Sequence, residues 1–331
     1  MYDAEPIRSK APAARRRAIV HDLHPGADDF RAAVIAGLSR PNRALPCRFL
    51  YDATGSALFD AICELPEYYP TRTETGILRD NAAAIADHMG ADTQLVELGS
   101  GSSTKVRILL DALELPHSYV PIDISREPLT AAAQDIQDAY PDLRVEAICA
   151  DFSQDIRLPP HLARRLGFYP GSTIGNFTPD EARAFLAQWN KRLGPGAAML
   201  IGVDLRKDAA ILEPAYDDAQ GITARFSLNL LARANRELGA DFDLDQFRHE
   251  ARYEAETGRM AIHLRSLADQ IVRIGDEAFF IGREEAIHIE DSWKYSLEDF
   301  RELARAAGFA PLDYFVDAGG LFSVHLLEAR P

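Results

Sequence analysis

From Glu74 to Val203 the sequence alternates short apolar runs with amphipathic stretches of helical period, and this alternation constrains the fold more than any other feature. Gln94 to Leu98 (QLVEL), Ser118 to Ile124 (SYVPIDI), Arg144 to Ala150 (RVEAICA) and Ala197 to Val203 (AAMLIGV) read as strands, and Gly171 to Phe177 (GSTIGNF) closes another between the last two. Thr75 to Met89, Thr104 to Leu113, Pro128 to Tyr140 and Pro179 to Leu193 read as helices between them. Strictly alternating strands and helices need crossover connections, so the sheet is expected to be parallel and covered by helices on both faces, the doubly wound α/β class.

The alternation lapses between about Arg206 and Ser296, where a helical Gly221 to Leu238 precedes strand-like alternation in Glu250 to Ile274. It resumes with a helix at Leu297 to Ala307 and strands at Ala310 to Val316 and Leu321 to Ala329, which flank the Gly319-Gly320 turn as an antiparallel hairpin at the sheet edge. A sheet interrupted and then completed implies an insertion, not a tandem second domain. Ahead of the alternating region, Asp28 to Leu38 and Ser56 to Leu65 read as helices, Pro41 to Pro46 as a break, and PEYYP (Pro66 to Pro70) as a stop. The first twenty or so residues, with the basic cluster Arg15, Arg16 and Arg17, are expected to fray.

At 331 residues the chain can bury a large core, and 36 Lys and Arg against 51 Asp and Glu leave a net charge of −15. That balance argues against a nucleic-acid or anionic-membrane partner, since polyanions are drawn to clustered Lys and Arg. Three scattered cysteines, Cys47, Cys63 and Cys149, form no disulfide framework or zinc knuckle, which is cytoplasmic usage. No stretch has the length of a membrane span, and no apolar segment follows the basic cluster as a signal peptide would need. No His, Cys and Asp grouping has metal-ligand spacing, so no metal is expected.

In a doubly wound sheet the ligand sits beyond the carboxyl ends of the strands. Here the first such end carries Gly99-Ser100-Gly101, the second carries Asp123, and the third carries Asp151-Phe152. Glycines let a backbone approach a ligand, one acid can take ribose hydroxyls, and the Asp-Phe pair can take an adenine amino group and cover its ring. The turn lacks the full G-x-G-x-x-G of a dinucleotide site. The set therefore describes a nucleoside pocket, which suits an S-adenosylmethionine-dependent methyltransferase better than a dehydrogenase. Asn176, in YPGSTIGNFTP after the next strand, is a candidate for holding the methyl acceptor, although Thr178-Pro179 beside it also reads as a helix N-cap and first-turn pair.

The blocks YDATGSALFDAICELPEYYPTRTE (Tyr51 to Glu74), VELGSGSSTK, PGSTIGNF and IHIEDSWKYS (Ile287 to Ser296) together resemble the L-histidine Nα-methyltransferases of ergothioneine biosynthesis, from about Arg48 to Ala329. The resemblance implies a Rossmann-like methyltransferase domain (71–205 and 297–331) with a smaller substrate-binding domain built from 20–70 and the insertion 206–296. It implies S-adenosyl-L-methionine held by Gly99, Lys105, Asp123, Asp151 and Phe152. It also implies that L-histidine is bound by its carboxylate at Asn176 and Tyr216, by its α-amine near Tyr51 and Gly171, and by its imidazole among Tyr68, Met260, Glu290 and Ser292. The implied product is N,N,N-trimethylhistidine (hercynine), made by a cytoplasmic monomer.

These roles make chemical sense. Carboxylate needs donors, which an amide and a phenol supply, and imidazole needs an acceptor for one nitrogen and a hydroxyl for the other. Glu290 and Ser292, two apart on an extended segment, share a face. Such a site rejects phenylalanine and leucine, which leave its polar groups unpaired. A Tyr51 hydroxyl near the amine is the best available proton relay, and no buried His base is evident. Asp291 and Trp293 stand where relatives are expected to carry Asn and Tyr, which bears on fine selectivity. The same scaffold acting on another amino acid or small amine, or a non-catalytic nucleoside-binding protein, remains an alternative reading.

Overall fold

The computed structural model describes residues 16–331 apart from 24–26, 102 and 161–162, and of 27 and 28 only the backbone. The expected fraying of the N-terminus, as far as residue 15, lies outside the described residues, as does Ser102 of the Gly-rich turn. An eight-stranded sheet organises the chain. Its strands are β1 (Ile19–Asp22), β2 (Thr93–Leu98), β3 (Ser118–Asp123), β4 (Arg144–Cys149), β5 (Arg164–Tyr169) and β6 (Ala198–Asp204). Of β7 (Phe247–Glu254), β8 (Arg259–Ser266), β9 (Gln270–Ile274), β10 (Glu277–Ile281), β11 (Ala286–Trp293), β12 (Phe309–Val316) and β13 (Phe322–Ala329), the last two complete it.

The spatial order is β1-β4-β3-β2-β5-β6-β13-β12. The first six strands run parallel, and β13 pairs antiparallel with both β6 and β12. The doubly wound class and the terminal hairpin are therefore both present. The order reverses between β2 and β5, so the chain has the switch point at which such sheets bind ligands. Successive residues of each central strand enter opposite apolar layers. Val96, Ile122, Ile148 and Ile201 join one, while Leu95, Tyr119, Ala147 and Leu200 join the other. Burial on both faces is why these strands read as continuous apolar runs.

The helices are α1 (Ala27–Leu38), α2 (Ala53–Cys63), α3 (Tyr69–Met89), α4 (Thr104–Ala112), α5 (Arg126–Ala139), α6 (Pro179–Leu193), α7 (Ala209–Tyr216), α8 (Ile222–Leu238) and α9 (Leu297–Ala306). A separate apolar cluster joins Phe30, Leu50 and Tyr68 of the N-terminal segment to Leu212, Phe226, Leu230, Ile262 and Ile287 of the insertion. Asp52 ties the two parts. It caps α2 through Gly55 N (2.7 Å) and accepts from Asn229 of α8 (2.8 Å). In the insertion, β11-β8-β7 form one antiparallel sheet and β9-β10 a hairpin.

Three expectations need correction. GSTIGNF is not a strand: β5 ends at Tyr169, and left-handed Gly171 (φ 78°) and Ser172 (φ 57°) turn the chain into a short 3-10 turn, Thr173–Asn176. PEYYP does not only stop a helix, because Pro70 occupies the first turn of α3, where its missing N–H costs nothing and starts the helix at Tyr69. Part of the segment expected to fray forms β1, whose parallel partner β4 lies more than a hundred residues away.

Candidate functional site

The expected cofactor side lies at the ends of β2, β3 and β4. Gly99 (φ 71°) and Gly101 (φ 34°) turn the chain out of β2, and the Asp123 carboxylate accepts from Ser125 N (2.8 Å) and Gly101 N (3.4 Å), clamping the turn. Burial raises Asp123 above its ordinary value, and these N–H bonds oppose the shift. A Cβ on Gly99 would lie 3.6 Å from Phe152 Cε1, so a side chain there would close the slot between the turn and the aromatic ring. Asp151 Oδ1 is engaged by Ser153 N (2.9 Å) and Oγ (2.6 Å), while its Oδ2 faces Arg48 Nε at 4.0 Å. An open-backbone turn, a strand-end carboxylate and an aromatic face fit the nucleoside end of S-adenosylmethionine.

Lys105 of α4 is not free. It pairs with Glu74 of α3, a fully buried carboxylate whose Oε2 also accepts from Gly171 N (2.8 Å). The expected cofactor contact and the expected amine contact thus meet on one carboxylate that the sequence did not single out.

The other side is built from the insertion and the N-terminal segment. Glu290 and Ser292 do share a face of β11. Glu290 Oε1 accepts from Asn176 Nδ2 (3.2 Å), and Ser292 Oγ lies 2.9 Å from the Tyr216 hydroxyl at the end of α7. Asp291 and Trp293 take the opposite face, where Asp291 pairs with Arg259 (2.9 Å) and His288 (2.8 Å). Tyr216 stacks edge-on against Tyr68 at 6.3 Å between centroids, and Tyr68 against Phe59, which also contacts Tyr51. Met260 of β8, fully buried, pairs with Ser292 in register. Ser125 Oγ, two residues past Asp123, donates to Tyr51 O (3.0 Å), joining this half to the cofactor half.

Burial pushes Glu290 up to about 7; Lys294 draws it back and Asp291 raises it further. Burial likewise raises Tyr51, with Glu290 adding to it, so this phenol stays protonated at neutral pH. It can pass a proton along a hydrogen bond but is no free-standing base. The Glu290 shift has a consequence for stability. A carboxyl with a raised native value favours folding while protonated and loses that contribution as pH rises through about 7. Glu290→Gln is therefore expected to melt at a higher temperature than the wild type at about pH 8, with the gain fading towards about pH 5. Equal melting temperatures at both values would contradict the assignment.

The loop and β11 meet because residue 175 is glycine. A Cβ there would lie 2.8 Å from Trp293 O and 3.1 Å from Trp293 N, both backbone atoms. Gly175→Ala must push the two apart, separating Asn176 from Glu290. It is expected to cost about 1–3 kcal/mol of stability and to weaken acceptor binding more than cofactor binding, as calorimetry on the two ligands would read.

Beneath the pocket lies a charge network that sequence reading missed. Asp204, at the end of β6 and fully buried, accepts from Tyr69 OH (2.8 Å), Lys207 Nζ (2.6 Å) and Lys294 Nζ (2.6 Å). Burial alone would raise the Asp204 carboxyl, but Lys294 and Lys207 outweigh it and hold it below its ordinary value. Burial lowers Lys207 to about 8 against the pull of Asp204. Lys294 stood in the quoted block IHIEDSWKYS; a lysine immediately after a strand was its only local signal. Among the described residues no group of three or more His, Cys, Asp or Glu could hold a metal ion, and no helix is long and apolar enough to cross a membrane.

Comparison with known proteins gives concordant results. The family model described as histidine-specific, SAM-dependent methyltransferase matches residues 30–329. A histidine N-alpha-methyltransferase of Mycolicibacterium smegmatis is 44% identical over 306 residues, covering 91% of this chain and 95% of that protein. One of Mycobacterium tuberculosis is 42% identical, covering 90% and 94%. Ergothioneine biosynthesis protein 1 of Neurospora crassa is 32% identical over 88% of this chain, which spans 34% of that longer protein.

Proposed function

The chain belongs to the histidine-specific, S-adenosylmethionine-dependent methyltransferases, and on that premise we propose that it methylates the α-amine of L-histidine three times, giving N,N,N-trimethylhistidine for ergothioneine biosynthesis. The observation that carries the reading is the pairing of Glu290 with Ser292 on one face of β11, against Asn176 and Tyr216. A half-buried acceptor beside a hydroxyl matches the two nitrogens of an imidazole, and an amide beside a phenol matches a carboxylate.

Bound S-adenosylmethionine supplies a methyl group activated on a sulfonium. Gly99, Lys105, Asp123, Asp151 and Phe152 are assigned to hold it. Asn176 and Tyr216 take the substrate carboxylate, Tyr51 and Gly171 border the amine, and Tyr68, Met260, Glu290 and Ser292 surround the ring. The protein's contribution is then to orient the amine, exclude water and carry protons away. Tyr51, protonated and half-buried, acts as a relay to water for the proton lost before each transfer. The small Gly171 leaves room for an amine that grows with each round. In this reading residues 20–70 and 206–296 form the substrate-binding domain, and 71–205 with 297–331 the methyltransferase domain. The net charge of −15 supports an enzyme without a nucleic-acid or membrane partner. Action as a monomer in the cytoplasm completes the proposal, and sedimentation and cell fractionation would test it.

The test is competition among the twenty amino acids for S-adenosylmethionine, followed by mass spectrometry. Conversion of histidine alone supports the proposal. Methylation of a different amino acid would overturn the imidazole assignment, and no product at all would overturn the enzyme assignment.

A further inference from the structure

Lys294 is fully buried, and each of its three ammonium protons has an acceptor: Asp204 Oδ2 at 2.6 Å, Tyr216 Oη at 2.5 Å and Ser292 Oγ at 2.8 Å. Its Nζ also lies 4.5 Å from the Tyr216 ring centroid. The position is fixed from two directions. Lys294 N donates to Gly258 O (2.7 Å), and Tyr295 N donates to Asp204 O (3.2 Å), which stitches the end of β11 to the end of β6.

This arrangement dictates what the two hydroxyls can offer. Each carries one proton, and each already accepts from the ammonium. Their 2.9 Å contact uses the proton of one of them, so the pair turns one free proton towards the pocket. A ligand with an acceptor at both positions replaces the shared bond and takes both protons. A ligand that presents a donor at either position meets an oxygen already facing a cation. The Lys294 ammonium also stands 4.5 Å from the Tyr216 ring centroid, so a ligand carboxylate at the Tyr216 hydroxyl is drawn towards its charge.

We propose that Lys294 is a positioning residue for substrate selection: held by Asp204, it occupies one acceptor site on both Tyr216 and Ser292 and so favours their donating to the ligand, and the site takes a carboxylate at Tyr216 and an unprotonated imidazole nitrogen at Ser292. The inference deepens the function proposed above and rests on it.

The experiment compares wild type and Lys294→Met with two probes, L-histidine and histamine, which lacks the carboxylate. In Lys294→Met the KM for L-histidine is expected to rise ~30-fold, with affinity for S-adenosylhomocysteine held within about twofold. The preference for L-histidine over histamine is expected to collapse, a change that general loosening of the fold would not produce without also weakening the cofactor. A folded variant whose KM and preference match the wild type overturns the inference. If Lys294→Met does not fold, Lys294→Gln, which removes the charge while Asp204 stays paired with Lys207, is read instead and held to the same outcomes. Failure of the wild type to methylate histidine would strike the proposed function first, which separates that failure from this one.

Discussion

Replacing Glu290 by alanine is expected to lower kcat/KM for L-histidine ~100-fold, with affinity for S-adenosylhomocysteine unchanged within about twofold. The magnitude follows from the environment of the side chain. Glu290 accepts from Asn176 and lies beside Lys294, and above its raised value of about 7 it is ionised, so at about pH 8 a ring N–H that loses this acceptor loses a charge-assisted bond. Loss of a charged hydrogen-bond partner costs about 3 kcal/mol, or ~100-fold. The variant should also discriminate less against phenylalanine and leucine, because the polar group they would leave unpaired has gone. Steady-state kinetics on the three amino acids would check this, and an unchanged kcat/KM for histidine would remove Glu290 from the imidazole site.

The largest effect on stability is expected from Asp204→Ala. Two lysine ammonium groups and a tyrosine hydroxyl converge on this carboxylate, with Lys294 fully buried and the Lys207 side chain 6% exposed. Its removal leaves two like charges facing each other without the carboxylate they share, and breaking a buried ion pair in this way costs about 3–5 kcal/mol. The backbone N–H of residue 204, which donates to Ser172 Oγ (2.9 Å), survives the substitution, so the loop carrying Gly171 and Asn176 is expected to keep that anchor. Urea unfolding followed by circular dichroism would measure the loss. A loss below about 1 kcal/mol would mean that the lysines find other acceptors and that the network is not a single unit.

Where local chemistry decides an element, sequence alone was sufficient. α6 spans the expected Pro179 to Leu193 because Thr178 and Glu181 form a reciprocal cap and Pro179 suits the first turn. The central strands were legible because burial on both faces leaves no polar alternation. GSTIGNF was expected to close a strand, whereas β5 ends at Tyr169 and the left-handed Gly171 and Ser172 turn the chain away from the sheet. β1 was missed because four residues, IVHD, owe their structure to pairing with β4 and not to any pattern of their own.

The site divides in the same way. Glu290 and Ser292 could be read from spacing, since residues two apart on a strand share a face, and a β-bulge just before them leaves that relation intact. Asp204 and Lys294 could not, because ninety residues separate them and each sits in a stretch, DLRKD or DSWKYS, whose charges read as ordinary surface. Glu74 was hidden for the opposite reason. It lay inside the recognised block, but its contacts with Lys105 and Gly171 exist only once α3, α4 and the loop after β5 are assembled.

The central claim is that the acceptor atom is the α-nitrogen of L-histidine. The most direct measurement is carbon-13 NMR of the product formed from L-histidine and S-adenosylmethionine labelled in its methyl group. One resonance from equivalent methyl groups on the α-nitrogen is the expected result. Label on a ring nitrogen, or on any amine other than that of histidine, would contradict the account.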